Sequence, residues 1–270
     1  MLPIERLRCD WCEFQNPSKA LSCQACGARL DVKNLVSDSG WREAPRLRDM
    51  TEIAFATGST CQIEGEIVPV VEVSLAAGDG VYFEHHVLLW KERRVPLEVL
   101  PLQGTFKRLL AGMPLVITTA TGPGRAAFSR DATGELLVML LHPGMRLDVR
   151  EHAFVLASSQ VSYSYIRVKG LRTILFGGQG MFMDQFVTTG SPGLLVLHGY
   201  GNVFERGLAP GESVLLEPGA FLYKDASVAM QVESVSLSPS RFAGMWMYLA
   251  RMTGPGRLGI QSMYHHHKTE

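Results

Sequence analysis

Residues 208–224 read LAPGESVLLEPGAFLYK and carry the pattern that decides the fold. Related stretches begin at Leu75, LAAGDGVYFEHHVLLWK, and at Leu141, LHPGMRLDVREHAFVLA, so the three starts lie 66 and 67 residues apart. Each copy has a glycine three residues after its first leucine, and apolar residues follow in alternation. Repetition at a fixed period predicts one supersecondary unit that is used three times.

Two further landmarks recur in the same order. Gly-Met pairs stand at residues 112–113, 180–181 and 244–245, and Thr-Gly turns follow at residues 121–122, 189–190 and 253–254. A degenerate fourth opening stands at Thr57-Gly58. We therefore expect the strand at residues 256–262 to pair beside the strand at residues 60–65 and to close the array.

The segments between these landmarks are short, rich in β-branched or aromatic residues, and bounded by glycine or proline. They predict antiparallel strands, with brief helical turns at residues 105–111 and 171–175. We expect an all-β domain at residues 51–263, similar to a double-stranded β-helix. Its three tandem pseudo-symmetric repeats are predicted at about residues 54–121, 122–189 and 190–263.

The overall charge excludes a broad basic surface. Lys and Arg together number 26, as do Asp and Glu, so the formal net charge is zero and no positive field attracts nucleic acid or anionic lipid. Apolar runs such as residues 136–141 are far shorter than the roughly 20 residues of a membrane helix. The N-terminal residues form no apolar signal core, so we expect a cytoplasmic protein without a membrane span.

Four of the five cysteines form two C-x2-C pairs near the N-terminus: Cys9, Cys12, Cys23 and Cys26. Each pair can present two thiolates from one tight turn, and two such turns complete a tetrahedral set for Zn²⁺, with Zn–S bonds of about 2.3 Å. Two disulfides are the alternative, and they require an oxidising compartment. We expect one structural Zn²⁺ in a finger at residues 1–31, and a spare buried thiol at Cys61.

Two segments flank the β domain. The largely polar and charged residues 32–50 predict a linker, in which Trp41 either docks on a neighbouring domain or stays partly exposed. Residues 264–270 form a His-rich tail, whose three consecutive histidines can chelate metal adventitiously.

The N-terminal module resembles the Ran-binding-protein type of zinc finger. Its four cysteines and Asn16 stand at that family's spacing, and the resemblance implies that the asparagine supports the metal-binding turn. Members of the family bind single-stranded RNA or ubiquitin, or pack on other proteins. Trp11, Phe14 and Asn16 are therefore the candidate partner contacts.

The finger matches neither specialised version of that family well. RNA-binding members have a tryptophan where Leu7 stands and paired arginines where Lys19 stands alone, although Trp11 could stack a base. The charges of residues 1–31 cancel, and four thiolates around one Zn²⁺ add negative charge that opposes phosphate binding. Ubiquitin-binding members have Thr-Phe where this chain has Glu13-Phe14. We expect protein docking or stability as the role of the finger, ahead of nucleic acid.

The repeats resemble the altered-inheritance-of-mitochondria family number twenty-four, from about residue 54 to residue 263. The resemblance rests on PGESVLLEPGAFLY at residues 210–223, FGGQGMF at residues 176–182 and GPGRLGIQS at residues 254–262. It implies three fused copies of a subunit like that of the tryptophan RNA-binding attenuation protein, an all-β fold. It does not imply that the chain binds tryptophan or RNA.

Polar residues recur at aligned positions of the phrases. His86 aligns with His152, and Glu84 with Glu217. Solvated turn residues account for this predicted rim, and a metalloenzyme that uses His86 and His152 is the alternative. His85 and His86 are adjacent, so on a strand they would face opposite sides and could not join one metal site without a bulge.

The common catalytic patterns are absent from the sequence, which has no G-x-S-x-G, H-E-x-x-H or Walker loop. We therefore expect a non-enzymatic binding or scaffold protein, whose β domain carries the finger as a docking or stabilising module. The expected partner is a protein, with a homo-oligomer as a further expectation. Single-stranded nucleic-acid binding through the finger is the alternative function.

Overall fold

The computed structural model describes residues 6–9, 11–12, 14–17, 20–30, 35–36, 40–44, 52–56, 58–99, 117–168, 181–236 and 246–263. The predicted helical turns, the Gly-Met pairs apart from Met181, and the His-rich tail lie outside these ranges. The described residues form antiparallel sheets and two 3-10 turns, at His85–Val87 and Pro218–Ala220, so the all-β prediction is confirmed. No helix in this part of the chain is long and apolar enough to cross a membrane.

A small N-terminal sheet has the order β2-β1-β3. Its strands are β1 (Arg6–Arg8), β2 (Gln15–Pro17) and β3 (Leu35–Val36). The following strand β4 (Arg42–Glu43) pairs instead with β19 (Val203–Leu208) of the β domain. The segment predicted as a linker thus contributes short strands to both parts of the chain. Trp41, beside β4, packs against a core cluster under the guanidinium group of Arg206.

Two sheets contain the first phrase. The five-stranded sheet consists, in spatial order, of β5 (Glu52–Phe55), β6 (Ser59–Glu64), β7 (Val70–Leu75), β12 (Gly124–Ser129) and β9 (Leu88–Lys91). The six-stranded sheet consists of β10 (Leu97–Val99), β11 (Ile117–Thr121), β8 (Gly80–Glu84), β15 (Phe154–Ser158), β18 (Gly193–Tyr200) and β13 (Gly134–Leu141).

The remaining strands form two more sheets. The seven-stranded sheet consists of β16 (Ser162–Val168), β17 (Met181–Val187), β14 (Arg146–Arg150), β21 (Phe221–Asp225), β24 (Gly256–Gln261), β19 (Val203–Leu208) and β4. The three-stranded sheet consists of β20 (Ser213–Leu216), β23 (Trp246–Thr253) and β22 (Ala229–Ser236).

The predicted closure of the array by residues 256–262 beside residues 60–65 is wrong. β24 pairs with β19 and β21, whereas β6 pairs with β5 and β7. Both strands therefore have two hydrogen-bonded neighbours already, and neither has a free edge for the other.

The first leucine of each phrase lies opposite a glycine. Leu75 pairs with Gly124, Leu141 with Gly193 and Leu208 with Gly256. The three leucines are buried. Gly124 and Gly256 have φ values of 146° and 138°, which a side chain rarely adopts, so glycine is required where these strands begin.

A bulge follows at the same place in all three phrases. β9 pairs with β12, β15 with β18, and β21 with β24. In each pair, one residue of β9, β15 or β21 has no partner on the other strand. These residues are Leu89, Val155 and Leu222. A bulge turns the strand locally, so its shared position gives the three strands a common bend.

Alternating side chains supply the core. In β7, Val71, Val73 and Leu75 point inward, which matches the period of two along a strand. Burial of each such side chain contributes roughly 2 kcal/mol to folding. The described buried residues form three apolar clusters, and a buried ion pair between Lys224 Nζ and Asp148 Oδ2, at 2.6 Å, links β21 to β14.

Candidate metal centre

Two tight turns hold the four cysteines of the N-terminal module. The first connects β1 to β2, and the N–H of Cys9 donates to the carbonyl of Phe14 at 3.0 Å. In the second, the N–H of Cys23 donates to Ala28 at 2.7 Å and the N–H of Gly27 donates back to Cys23 at 2.9 Å. Gly27 has φ +76°, so the second turn needs a residue that tolerates the left-handed region.

The four sulfur atoms converge. Cys9 Sγ lies 3.5 Å from Cys26 Sγ, Cys12 Sγ lies 3.5 Å from Cys23 Sγ, and all four lie within 4.8 Å of one another. These cysteines are free, and the separations far exceed the roughly 2.05 Å of a disulfide bond. Metal–sulfur bonds of about 2.3 Å place tetrahedral sulfurs close to 3.8 Å apart. The set therefore fits a structural metal site.

The surroundings of Cys23 favour its thiolate form. Burial opposes the charge, but backbone N–H groups of Cys26 and Ala25 and the side chain of Asn16 donate hydrogen bonds, and together they lower the pKa of Cys23 to about 6. The Ala25 N–H lies 3.4 Å from the sulfur. A thiolate is the metal-binding form of cysteine, so these hydrogen bonds favour Cys23 as a metal ligand.

Asn16 lies in the interior of the finger, although it was predicted as a partner contact. Its Nδ2 donates to the carbonyls of Phe14 at 3.0 Å and Leu7 at 3.4 Å, and to Cys23 Sγ at 3.6 Å. Its Oδ1 accepts the N–H of Gln24 at 2.8 Å. These bonds tie one metal-binding turn to the other, so its side chain offers no surface to a partner.

The other two predicted contacts are on the surface. Trp11 is 83% exposed and Phe14 is 45% exposed. The structure adds Leu21, 86% exposed, which sequence reasoning missed. An apolar residue two positions before Cys23, in a module too short to bury it, is the signal that could have indicated Leu21. We call Trp11, Phe14 and Leu21 the exposed apolar residues of the finger.

The histidines of the predicted rim do not form a metal cluster. His85 and His86 lie in a 3-10 turn rather than in a strand. The prediction that they face opposite sides of a strand therefore does not apply. His86 and His152 are both exposed. Within the described ranges, the four cysteines are the one group of three or more potential ligands whose atoms cluster, and neither histidine belongs to it.

Glu84 is buried, so its interpretation as a solvated rim residue is wrong. Its Oε2 lies 3.2 Å from Nε2 of His86 and 3.4 Å from Nη1 of Arg130. Arg130 Nη1 also donates to the carbonyl of Phe154 at 3.1 Å. Burial, only partly offset by Arg130, raises the pKa of Glu84 to about 7. The aligned Glu217 is exposed and accepts a hydrogen bond within its own turn.

The comparison with solved structures places the β domain in a known fold. Protein SPYM3_0169 from Streptococcus pyogenes, solved by X-ray crystallography, is similar with a TM-score of 0.60 and 17% sequence identity. The similarity covers 76% of this chain and 94% of the bacterial protein. At this identity the comparison shows the fold alone. No curated protein matches the sequence.

A family model identifies most of the chain. The model described as mitochondrial biogenesis AIM24 matches residues 61–263, which include nearly all of the β domain and exclude the cysteine cluster. The match spans well over half of the 270 residues. The chain therefore belongs to the AIM24 family.

Proposed function

We propose that this protein is a non-enzymatic binding or scaffold protein, in which a rigid β domain carries a zinc finger that docks on a protein partner. The observation that carries the proposal is that the finger exposes three large apolar side chains, those of Trp11, Phe14 and Leu21. The clustered cysteines and the hydrogen bonds of Asn16 hold the module itself. Tryptophan and phenylalanine are enriched in protein–protein interfaces.

The proposed metal is one structural Zn²⁺ per chain. Four cysteine sulfurs in a cluster are the ligand set of structural zinc sites, because thiolates are soft donors and leave no coordination position open for water. Elemental analysis of the purified protein tests this. About one zinc per chain supports the proposal, and its persistence in a Cys23→Ser variant would contradict it.

We further propose that the finger is of the Ran-binding-protein type. The spacing of the cysteines supports this assignment, as do the hydrogen bonds of Asn16 to both metal-binding turns. The family contains protein-binding and RNA-binding members, so the type alone does not select a partner. The absence of a net positive charge on residues 1–31 favours a protein.

The proposed architecture of the β domain is three tandem pseudo-symmetric repeats, similar to the attenuation-protein subunit. The common leucine–glycine pairs and the common bulge support it. So does the pairing of successive copies: Val81 lies opposite Ser158 in β8 and β15, and the aligned Leu147 lies opposite Asp225 in β14 and β21. The same two positions of the phrase meet in both cases.

Quantitative co-purification tests the docking role. Tagged wild type is compared with a Trp11→Ala, Leu21→Ala double variant, and an Ile67→Ala variant serves as the control, because Ile67 is an equally exposed apolar residue of the β domain. We expect the double variant to lose specific partners that the control retains. Identical partner sets for all three proteins would refute docking through Trp11 and Leu21.

The alternative is single-stranded nucleic-acid binding by the finger, which the exposed indole of Trp11 favours because aromatic side chains stack on bases. Fluorescence anisotropy with short RNAs at low salt separates the two functions. Micromolar binding that Trp11→Ala abolishes would support the alternative. An unchanged anisotropy would refute nucleic-acid binding and leave protein docking as the proposed role of these exposed residues.

A further inference from the structure

Among the strands that the structure describes, the β domain makes one kind of junction twice and lacks a third of the same kind. β8 pairs with β15, and β14 pairs with β21, so in each case the first strand of one phrase pairs with the second strand of the next. The corresponding strands for a third junction are β20 and β9. Among the described strand pairs, β20 is bonded to β23 alone and β9 to β12 alone. Each is therefore the edge of its sheet in the part of the chain that the structure describes.

The residues on these two edges are exposed where their aligned counterparts are buried. Leu89 and Trp90 of β9 are 55% and 44% exposed, and Leu215 of β20 is 41% exposed. The residues that align with them in the two junctions are all buried: Val155 and Leu156, Leu222 and Tyr223, and Tyr82 and Asp148. Within the described residues, two apolar edges that match in sequence thus have no second strand beside them, which favours pairing with another strand.

We propose that a second copy of this chain covers these edges, so that β20 of each copy pairs with β9 of the other in a closed two-fold dimer. The inference rests on the repeat arrangement proposed above and is independent of docking by the finger. Because β9 and β20 lie at the edges of different sheets, they are not bonded to each other within one chain. A reciprocal exchange satisfies both edges of both copies and leaves no open end for further growth.

The two existing junctions define the register of the new one. Tyr82 lies opposite Ala157, and Asp148 opposite Lys224, at the same positions of the phrase. Transfer of this pairing places Leu215 opposite Lys91 of the second copy. Leu216 then lies opposite Trp90, so the half-exposed ring of Trp90 gains an apolar neighbour on the second copy.

Directed disulfide formation tests both the pairing and its register. A Leu215→Cys chain and a Lys91→Cys chain of different tag length are mixed as full-length proteins and oxidised gently. We expect a mixed cross-linked product of two chains. The control mixes Leu215→Cys with Ile67→Cys, which places a thiol outside β9 and β20 at a position more exposed than that of Lys91. As much product from the control as from the Lys91→Cys mixture would overturn the register.

The doubly substituted chain and the unmodified protein complete the test. In a chain that carries both cysteines, a cross-link within one chain would show that β20 and β9 close on each other, and would overturn the dimer.

The wild type should sediment at twice its mass of 29.7 kDa. A Trp90→Asp, Leu215→Asp variant should sediment at half the wild-type mass with an unchanged β spectrum. A monomeric wild type at tens of micromolar would refute the inference, whereas Trp11→Ala should leave the dimer intact.

Discussion

Asn16 holds the second metal-binding turn in place through Cys23, because its Nδ2 donates to Cys23 Sγ at 3.6 Å while its Oδ1 accepts the N–H of Gln24 at 2.8 Å. One amide side chain thus orients a ligand and the backbone beside it. Groups that orient ligands in this way contribute to metal affinity in addition to the ligands themselves.

Removal of this amide should weaken zinc binding. We expect Asn16→Ala to reduce the affinity about 10- to 100-fold, since Cys23 loses a hydrogen bond that stabilises its thiolate. Competition with a chromophoric chelator measures the change. Gln24→Ala is the matched control, because the glutamine side chain is exposed and the backbone N–H of residue 24 still donates to Asn16 in this variant. Equal affinities of the two variants would contradict this role.

Chelation of zinc should unfold the finger and leave the β domain folded. The finger has few buried apolar residues of its own, whereas the β domain contains three apolar clusters. Limited proteolysis after chelation should cut within residues 6–30, and the far-ultraviolet β signal should persist. Loss of most of that signal would show that the two parts depend on each other.

The burial of Glu84 should make stability depend on pH. Its pKa is about 7 in the folded protein and near 4.5 otherwise, so the folded state binds the proton more tightly. The contribution of Glu84 to the free energy of unfolding therefore falls as pH rises from 4.5 to 7, by about 3 kcal/mol at most, and is constant above that range.

The matched comparison for this effect is Glu84→Gln. We expect the difference in unfolding free energy between the wild type and this variant to change across pH 4.5 to 7, because glutamine does not titrate. Urea unfolding at several pH values measures it. Burial lowers the pKa of His198 to about 4, which has the opposite effect on the pH dependence of stability. The comparison cancels this effect, because both proteins contain His198. Parallel curves for the two proteins would refute the prediction.

The buried ion pair between Lys224 and Asp148 should tolerate loss of one partner poorly. Lys224→Met removes the cation that pairs with the buried carboxylate of Asp148. The carboxylate then keeps the hydrogen bond from Gln185, at 2.8 Å. We expect a loss of roughly 3–5 kcal/mol in unfolding free energy. Arg94→Met, which removes an exposed ion pair, should cost less than about 1 kcal/mol. Similar midpoints in urea for both variants would contradict this.

Local features of the chain were the most predictable from sequence. Short segments between glycines and prolines predicted strands, and two C-x2-C pairs predicted the cluster of four sulfurs. Both depend on spacing over a few residues. The burial of Glu84 was missed, because the group that faces it, Arg130, is remote in the sequence.

The sequence by itself determined the all-β class and the candidate metal ligands, since these follow from local pattern and spacing. Its match to a family model determined the membership of the AIM24 family. Only the tertiary structure decided which strands pair across the phrases. It placed β24 between β19 and β21 and left β9 and β20 as edges. Hydrogen bonds between distant strands depend on how the whole chain packs, because many strands of similar composition compete for the same partner edge.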